Sequence, residues 1–229
     1  MSVAALNTND SLPPLGKDAN HLWTAFDQAQ SLDDPYRHYI LNDLFDPQLV
    51  DNVLALPFEP LDLDYSAGTR EEFNAVRRYI SPEIIQNHDA AKRVADAFLD
   101  PAVIQKIEAM EGICLKDSLL RIEYAIDADK FWLKPHTDLG VKLVTLLIYL
   151  SKDEDAENWG TDVYKDGETF HSTVPYKSNR ALLFFATDKT WHGFEPRTIN
   201  GVRKTLIVNF VTQAWKNRHE LVHPTKVVY

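Results

Sequence analysis

The spacing of apolar residues changes once along this chain, near Gly112, and that change restricts the fold more than any other feature. Before it, apolar residues recur at helical intervals. Asp46-Pro47 opens a run carrying Leu49, Val50, Val53 and Leu54, and Ser81-Pro82-Glu83 sets an N-cap serine and a first-turn proline ahead of Ile84 and Ile85. Residues 89–99 place Ala91, Val94, Ala95 and Phe98 on one stripe, and Asp100-Pro101 starts a further helix that Gly112 ends. An early strand is predicted within 36–44. After Gly112 the period is two: Leu120, Ile122, Tyr124 and Ile126 share one face, while Arg121 and Glu123 share the other. Further strands are predicted at 131–136, 142–150, 161–165, 168–174, 180–186 and 203–212, with turns at Asp166-Gly167 and Asn200-Gly201. So many short strands in succession predict a mainly β, α+β fold: a jelly roll or related barrel with the helices packed outside.

The chain is long enough, at 229 residues, for one domain with a substantial core, and 45% apolar with 11% aromatic residues excludes general disorder. Residues 1–20 read as a flexible arm ahead of a single domain over 21–229, with helical support at 21–112 and the β core at 113–215. A net charge of −10 and a pI near 5.2 disfavour nucleic acid, whose phosphates need clustered Lys and Arg. A neutral, zwitterionic or basic substrate is easier to accept. The single cysteine, Cys114, forms no intrachain disulfide; within Ile113-Cys114-Leu115 it reads as a small buried residue, and a reducing compartment such as the cytoplasm fits. Residues 1–20 lack the basic-then-apolar order of a leader, and the longest apolar runs, 144–150 and 181–186, fall far short of the ~20 residues of a membrane-spanning helix.

Within the β half stand four residues in order: His136 and Asp138 in Pro135-His136-Thr137-Asp138, His192 in Trp191-His192-Gly193-Phe194, and Arg203 at the start of the last strand. Residues two apart on a strand point to one side, so His136 and Asp138 can present a nitrogen and an oxygen to one point. His192 follows the apolar strand 180–186 after a short turn, placing it to supply a third ligand from a neighbouring strand. Two imidazoles, one carboxylate and open positions are what a non-haem iron(II) centre uses, and a following arginine suits a dicarboxylate co-substrate. Each histidine taken singly reads as an ordinary packed or surface ring; the ordered set favours the metal. His171 is the competing ligand, on a strand of its own. Arg203 shares its face with Thr205, Ile207 and Asn209, so a guanidinium fork and the Thr205 hydroxyl can hold a carboxylate together. Tyr149 ends the run 142–150 on the face of Thr145 and Leu147, where a phenol can donate to the same carboxylate, and Tyr124 is a candidate for the same cavity. Arg121, facing the other way from Tyr124, is read as structural.

At this point the sequence resembles the Fe(II)- and 2-oxoglutarate-dependent dioxygenase superfamily, in particular its prolyl-hydroxylase-like branch. The likeness covers residues 118–213, through Tyr124, His136-Thr137-Asp138, the run from Val144 to Leu150, Trp159-Gly160, the run from Asn179 to Phe185, His192 and Arg203. It implies a double-stranded β-helix core, the jelly roll also found in cupins, with His136, Asp138 and His192 holding iron. Arg203 and Tyr149 match positions that bind the far carboxylate of 2-oxoglutarate, and Tyr124 matches a tyrosine near that co-substrate. Two departures stand out: Gly160-Thr161 replaces a pair of glycines, and the stretch from His192 to Arg203 is longer than usual.

The resemblance implies a hydroxylase that uses iron(II), 2-oxoglutarate and O2 on an unactivated C–H bond, releasing succinate and CO2. Asp138 speaks against halogenation, which needs a small residue there. The expected substrate is a small metabolite, such as an amino acid or sugar derivative, or a protein side chain; Trp132, Lys134, Lys142, Trp159 and Trp191 are candidates to contact it. Two other readings stay open: a non-catalytic cupin-like protein that binds a metal or small ligand, and a zinc or manganese isomerase or hydrolase on the same three ligands. The Arg203 grip weighs against the latter.

Overall fold

The computed structural model describes residues 15–59, 68–69 and 77–229. Among the described residues five helices precede most of the sheet, and their ends follow the signals in the sequence. Helix α1 spans Lys17–Asp27, α2 Pro47–Leu54, α3 Pro82–Asn87, α4 Asp89–Phe98 and α5 Pro101–Glu111. Asp46, Ser81 and Asp100 cap α2, α3 and α5 through their side chains, each followed by proline, and Gly112 ends α5 in the left-handed region at φ 64°. Helix α1 begins inside the stretch expected to be an arm; residues 1–14 of that arm lie outside the described residues. The spacing of Ala19, Leu22, Ala25 and Phe26 was the available signal for α1, and all four are buried.

Among the described residues eleven strands make two antiparallel sheets. The strands are β1 Gln30–Leu32, β2 His38–Asn42, β3 Arg78–Tyr79, β4 Leu119–Asp127, β5 Leu133–His136, β6 Lys142–Tyr149, β7 Asp162–Tyr164, β8 Phe170–Thr173, β9 Arg180–Phe185, β10 His192–Phe194 and β11 Arg203–Val211. The large sheet runs β1-β2-β9-β6-β11-β4-β3 and the small one β5-β10-β7-β8, which is the expected jelly roll. Strand β10 has no range of its own among the predicted strands, although His192 is expected after a short turn on a neighbouring strand; there His192 pairs with both β5 and β7. Its Gly193 permits that closeness, since a Cβ there would lie 2.7 Å from the Leu133 carbonyl oxygen.

Two apolar layers hold the fold. The helices pack on one face of the large sheet through Ile122, Ile126, Leu146, Ile148, Leu206 and Val208. Between the sheets lies a second cluster containing Ala125, Leu147, Leu182, Phe184, Val163 and Phe194. Strand β4 is therefore buried at every position, on both faces. This corrects the expected side of the barrel: the face of Tyr124 meets the helices, and the face of Arg121, Glu123 and Asp127 meets the small sheet. After β11 the chain returns along the start of β4, where Leu221 bridges Arg121 and Val222 N donates to Leu120 O at 3.0 Å. Cys114 sits in the connection from α5 to β4 and is exposed, contrary to the expectation of a buried residue; Ile113 and Leu115 turn inward in its place.

Candidate metal and co-substrate site

His136 ends β5 and His192 begins β10, and the two are direct partners across the antiparallel ladder, with ring centroids 4.3 Å apart. Asp138 lies two residues past the end of β5, in the loop beyond the strand end, so strand alternation alone does not orient it. Strand β6 fixes its carboxylate: Thr145 donates to Oδ2 at 2.5 Å and Lys142 donates to Oδ1. Ligand atoms of His136, Asp138 and His192 lie within 4.8 Å of one another, the one such group among the described residues. His171 instead faces Asp34, at 3.3 Å.

Hydrogen bonding selects the imidazole tautomers. Nδ1 of His136 meets the Lys134 carbonyl at 2.9 Å and Nδ1 of His192 meets the Thr190 carbonyl at 3.0 Å. A carbonyl only accepts, so each Nδ1 carries the proton and each Nε2 keeps its lone pair for a metal. Burial pushes His192 down to about 3, with His136 adding to the effect, so this ring is neutral at physiological pH. Burial acts against the charge of Asp138, but Lys142 and the hydrogen bonds from Lys142 and Thr145 outweigh it and hold the carboxyl well below the usual range. Two imidazoles presenting Nε2 and one ionised carboxylate suit iron(II), and their three ligand atoms leave positions open for small ligands.

A cavity runs from this trio into the barrel, past Thr145, Thr161 and Phe194, to Arg203. Arg203 donates through Nε to the Trp159 carbonyl at 2.6 Å, pairs with Asp127, and lies 4.7 Å from the Phe194 ring centroid. Its remaining N–H groups are the cationic end of the cavity. Two hydroxyls, that of Thr161 on the cavity wall and that of Thr205 on the Arg203 face of β11, are buried without a partner. Orphaned hydroxyls and a guanidinium together are what a carboxylate would satisfy, so the inner end fits the far carboxylate of 2-oxoglutarate. Thr161 stands in place of a glycine and was not singled out as a ligand; Gly160 beside it admits no side chain, because a Cβ would meet the Val174 carbonyl at 1.6 Å. Tyr149 is fully buried on the same face as Thr145, across from Thr205, and its hydroxyl accepts from the Thr161 amide at 3.1 Å. It thereby braces Thr161 and keeps its own proton to donate.

Tyr124 is not part of this site. Its ring packs 5.0 Å from that of Phe58 beneath the helices, and its hydroxyl has no partner. The residues missed in its place are Glu123 and Asp127 on the opposite face of β4; alternation put them on the right face, and only the location of the helices could show that this face is the inside.

Outside the trio lies a chamber of about 500 Å3, which reaches His136 and Asp138 and is walled by Thr69, Lys134, Leu139, Lys142 and Trp215. Of the residues expected to meet substrate, Lys134 and Lys142 line it. Trp159 is buried in the inter-sheet core, Trp191 covers Gly167, and Trp132 covers Gly68.

The arrangement defines a class: a double-stranded β-helix with two histidines and a carboxylate at its open end and a buried arginine within. Residues 122–211 match the family model described as the 2OG-Fe(II) oxygenase superfamily, which comprises iron(II)- and 2-oxoglutarate-dependent oxygenases with O2 as the usual co-substrate. Solved structures with the same fold include a prolyl 4-hydroxylase from Phytophthora capsici, at 14% identity, TM-score 0.59, and coverage of 87% of this chain and 67% of that one. A Pseudomonas putida prolyl-4-hydroxylase matches at 14% identity, TM-score 0.55, over 85% of this chain and 98% of the other. HygX from Streptomyces hygroscopicus, solved with nickel, 2-oxoglutarate and hygromycin B, matches at 14% identity, TM-score 0.51, over 78% and 84%. Comparison with curated protein sequences gives no match. No helix among the described residues is long and apolar enough to cross a membrane.

Proposed function

We propose that residues 21–229 act as one catalytic domain that hydroxylates a C–H bond of a small metabolite or a protein side chain, in the cytoplasm, with His136, Asp138 and His192 as the iron ligands. Iron(II), 2-oxoglutarate and O2 supply the oxidation, in which the co-substrate becomes succinate and CO2 as the substrate gains a hydroxyl group. The chain's own residues orient and seal the reactants. His136 and His192 offer Nε2 because their Nδ1 protons are spent on backbone carbonyls. Asp138 stays ionised beside Lys142, so the ligand set carries one negative charge. Arg203 draws the far carboxylate of the co-substrate to the closed end, where Thr161 and Thr205 add hydroxyl donors. Phe194, Leu147 and Ile207 wall the cavity and exclude water from it.

The observation that carries this reading is the joint one: three ligand atoms within 4.8 Å at one end of a cavity and an arginine with two partnerless hydroxyls near the other. The outer chamber, about 500 Å3, suits a small molecule or a single side chain entering from a larger partner. Both kinds of ligand occur among structures of this fold: HygX holds hygromycin B, and a Trichoplax adhaerens prolyl hydroxylase holds a peptide. The test is anaerobic titration of the metal-free protein with iron(II) and 2-oxoglutarate, followed by the visible charge-transfer band of the pair, with Arg203→Ala in parallel. A band in the wild type that weakens in the variant is the expected result. Metal binding without a band in a folded protein would point instead to a binding protein or another metalloenzyme.

A further inference from the structure

The Asp138 carboxylate is the end of a chain of four buried hydrogen bonds that starts in the C-terminal segment. Glu220, in the 3-10 turn Arg218–Glu220, accepts from Arg121 Nε at 2.6 Å. Arg121 Nη1 donates to Asn209 Oδ1 at 2.9 Å, Asn209 Nδ2 donates to Thr145 Oγ1 at 2.8 Å, and Thr145 Oγ1 donates to Asp138 Oδ2 at 2.5 Å. The four residues from Glu220 to Thr145 are at most 4% exposed, so water does not compete for these bonds.

The direction of every link is forced. A guanidinium has donors only, so the Asn209 atom facing Arg121 must be its oxygen, which turns the amide nitrogen toward Thr145. That nitrogen can only donate, so the Thr145 oxygen must accept from it. The single hydroxyl proton of Thr145 is then left for Asp138, whose ionised carboxylate only accepts. Reversing any link would put two donors or two acceptors face to face. Arg121 is itself held in orientation by Glu220, by Glu123 at 3.0 Å, and by the rings of Tyr79 and Trp215 at 4.9 and 5.1 Å.

We propose that Asn209 and Thr145 are positioning residues for the metal ligand Asp138, with the polarity of their hydrogen bonds set by Arg121 and the C-terminal segment that clamps it. This rests on the reading of Asp138 as a metal ligand. The segment after β11 thereby becomes part of the metal site although none of its residues reaches the metal. Because Asp138 lies in a loop beyond β5, it has no strand of its own to orient it, and the hydroxyl of Thr145 takes over that task at Oδ2, opposite Lys142 at Oδ1.

The test is titration of the metal-free, full-length protein with cobalt(II) alone, read from the d–d absorption bands, whose energies and intensities report the ligand geometry. Thr145→Val removes the donor at constant shape and is expected to weaken cobalt binding about tenfold, in the range found for outer partners of metal ligands, and to shift the bands. Thr145→Ser keeps the hydroxyl and is expected to restore both. Asn209→Leu leaves Thr145 in place but releases its hydroxyl, so the same band shift with a smaller loss of affinity is expected. Wild-type affinity and bands in both Thr145→Val and Asn209→Leu would overturn the proposal, as would a Thr145→Ser variant as weak as Thr145→Val. Failure of the wild type itself to take up cobalt would instead remove the metal reading on which the proposal stands.

Discussion

The two faces of the large sheet are made by alternate residues of the same strands, yet they hold opposite chemistry. Toward the helices, β4 offers Leu120, Ile122, Tyr124 and Ile126 and β11 offers Leu206, Val208 and Phe210, all buried in one apolar cluster. Toward the small sheet, the same two strands offer Arg121, Glu123, Asp127, Arg203, Thr205 and Asn209, all buried as well. Burying apolar groups stabilises on its own, at ~25 cal/mol per Å2 of area, whereas a buried charge is tolerated only where a partner meets it. Accordingly, Arg203 meets Asp127, and Arg121 meets Glu123 and Glu220. One face holds the fold together; the other holds charges and donors in fixed directions.

That division can be broken by substitution, and the largest effect is expected on the site side. Asp138→Ala or His192→Ala should reduce succinate release to background while leaving the helix-side core, and hence the melting temperature of the metal-free protein, little changed; release at the wild-type rate by either variant would overturn the ligand assignment. On the helix side, Phe98 is fully buried against Phe45, with ring centroids 6.3 Å apart. Phe98→Ala should cost ~3–5 kcal/mol of stability in chemical denaturation, with 2-oxoglutarate affinity unchanged in the fraction that stays folded. Arg203→Ala should do the reverse, weakening 2-oxoglutarate binding by ~10–100-fold, the worth of a charge-assisted fork, as read from the charge-transfer titration. Because it also takes the guanidinium away from the buried Asp127 carboxylate, Arg203→Lys serves as the milder comparison.

Alternation along β4 was legible in the sequence, and so were the helix caps at Asp46, Ser81 and Asp100, because each rests on residues close together in the chain. Which face of β4 was the interior was not. A strand buried on both faces gives no polar side to mark the outside, so its charged face, with Arg121 and Glu123, reads as the solvent side when it is the site side. His136, His192 and Arg203 were legible because their residue types are costly to bury without a task, and their order along the chain matched a known pattern. Asp138 was legible as a member of the trio, but what holds its carboxylate was not, since the bonds from Thr145 and Lys142 come from the next strand. Trp215 and Glu220 left no signal: they lie beyond the last predicted strand, and only tertiary packing brings them to Arg121. Thr161 was visible only as a departure from two glycines, and its partnerless buried hydroxyl is a product of tertiary packing.

A smaller effect on the site side concerns His38, on the β2 face that also carries Ile40 toward the small sheet. Burial lowers the pKa of its ring below 6.5, while Nδ1 keeps a bond to the Tyr36 carbonyl at 2.8 Å. The folded protein therefore binds fewer protons here than the unfolded chain, so this contribution to stability is complete above 6.5 and is lost as the pH falls from there toward the folded-state value. Denaturant midpoints compared at about pH 8 and about pH 5 should drop less in His38→Asn, which keeps a donor but has no proton to gain. Equal drops in the two proteins would show that His38 is not the titrating group.

The smallest expected effect bears most directly on the comparison of faces. Tyr124→Phe removes one oxygen from the helix-side cluster, where that hydroxyl is buried and has no partner. Deleting an unsatisfied buried hydroxyl restores nothing to water and loses no bond, so stability should stay level or rise by up to ~1 kcal/mol. The 2-oxoglutarate affinity should not move, because the ring lies behind the sheet, against Phe58, with the β4 backbone between it and Arg203. Thr205→Val is the matched control on the opposite face, since it also removes a single partnerless hydroxyl at nearly constant shape. If the inner face is where the co-substrate carboxylate binds, Thr205→Val weakens its binding and Tyr124→Phe does not. The opposite order would return Tyr124 to the site and turn the sheet around.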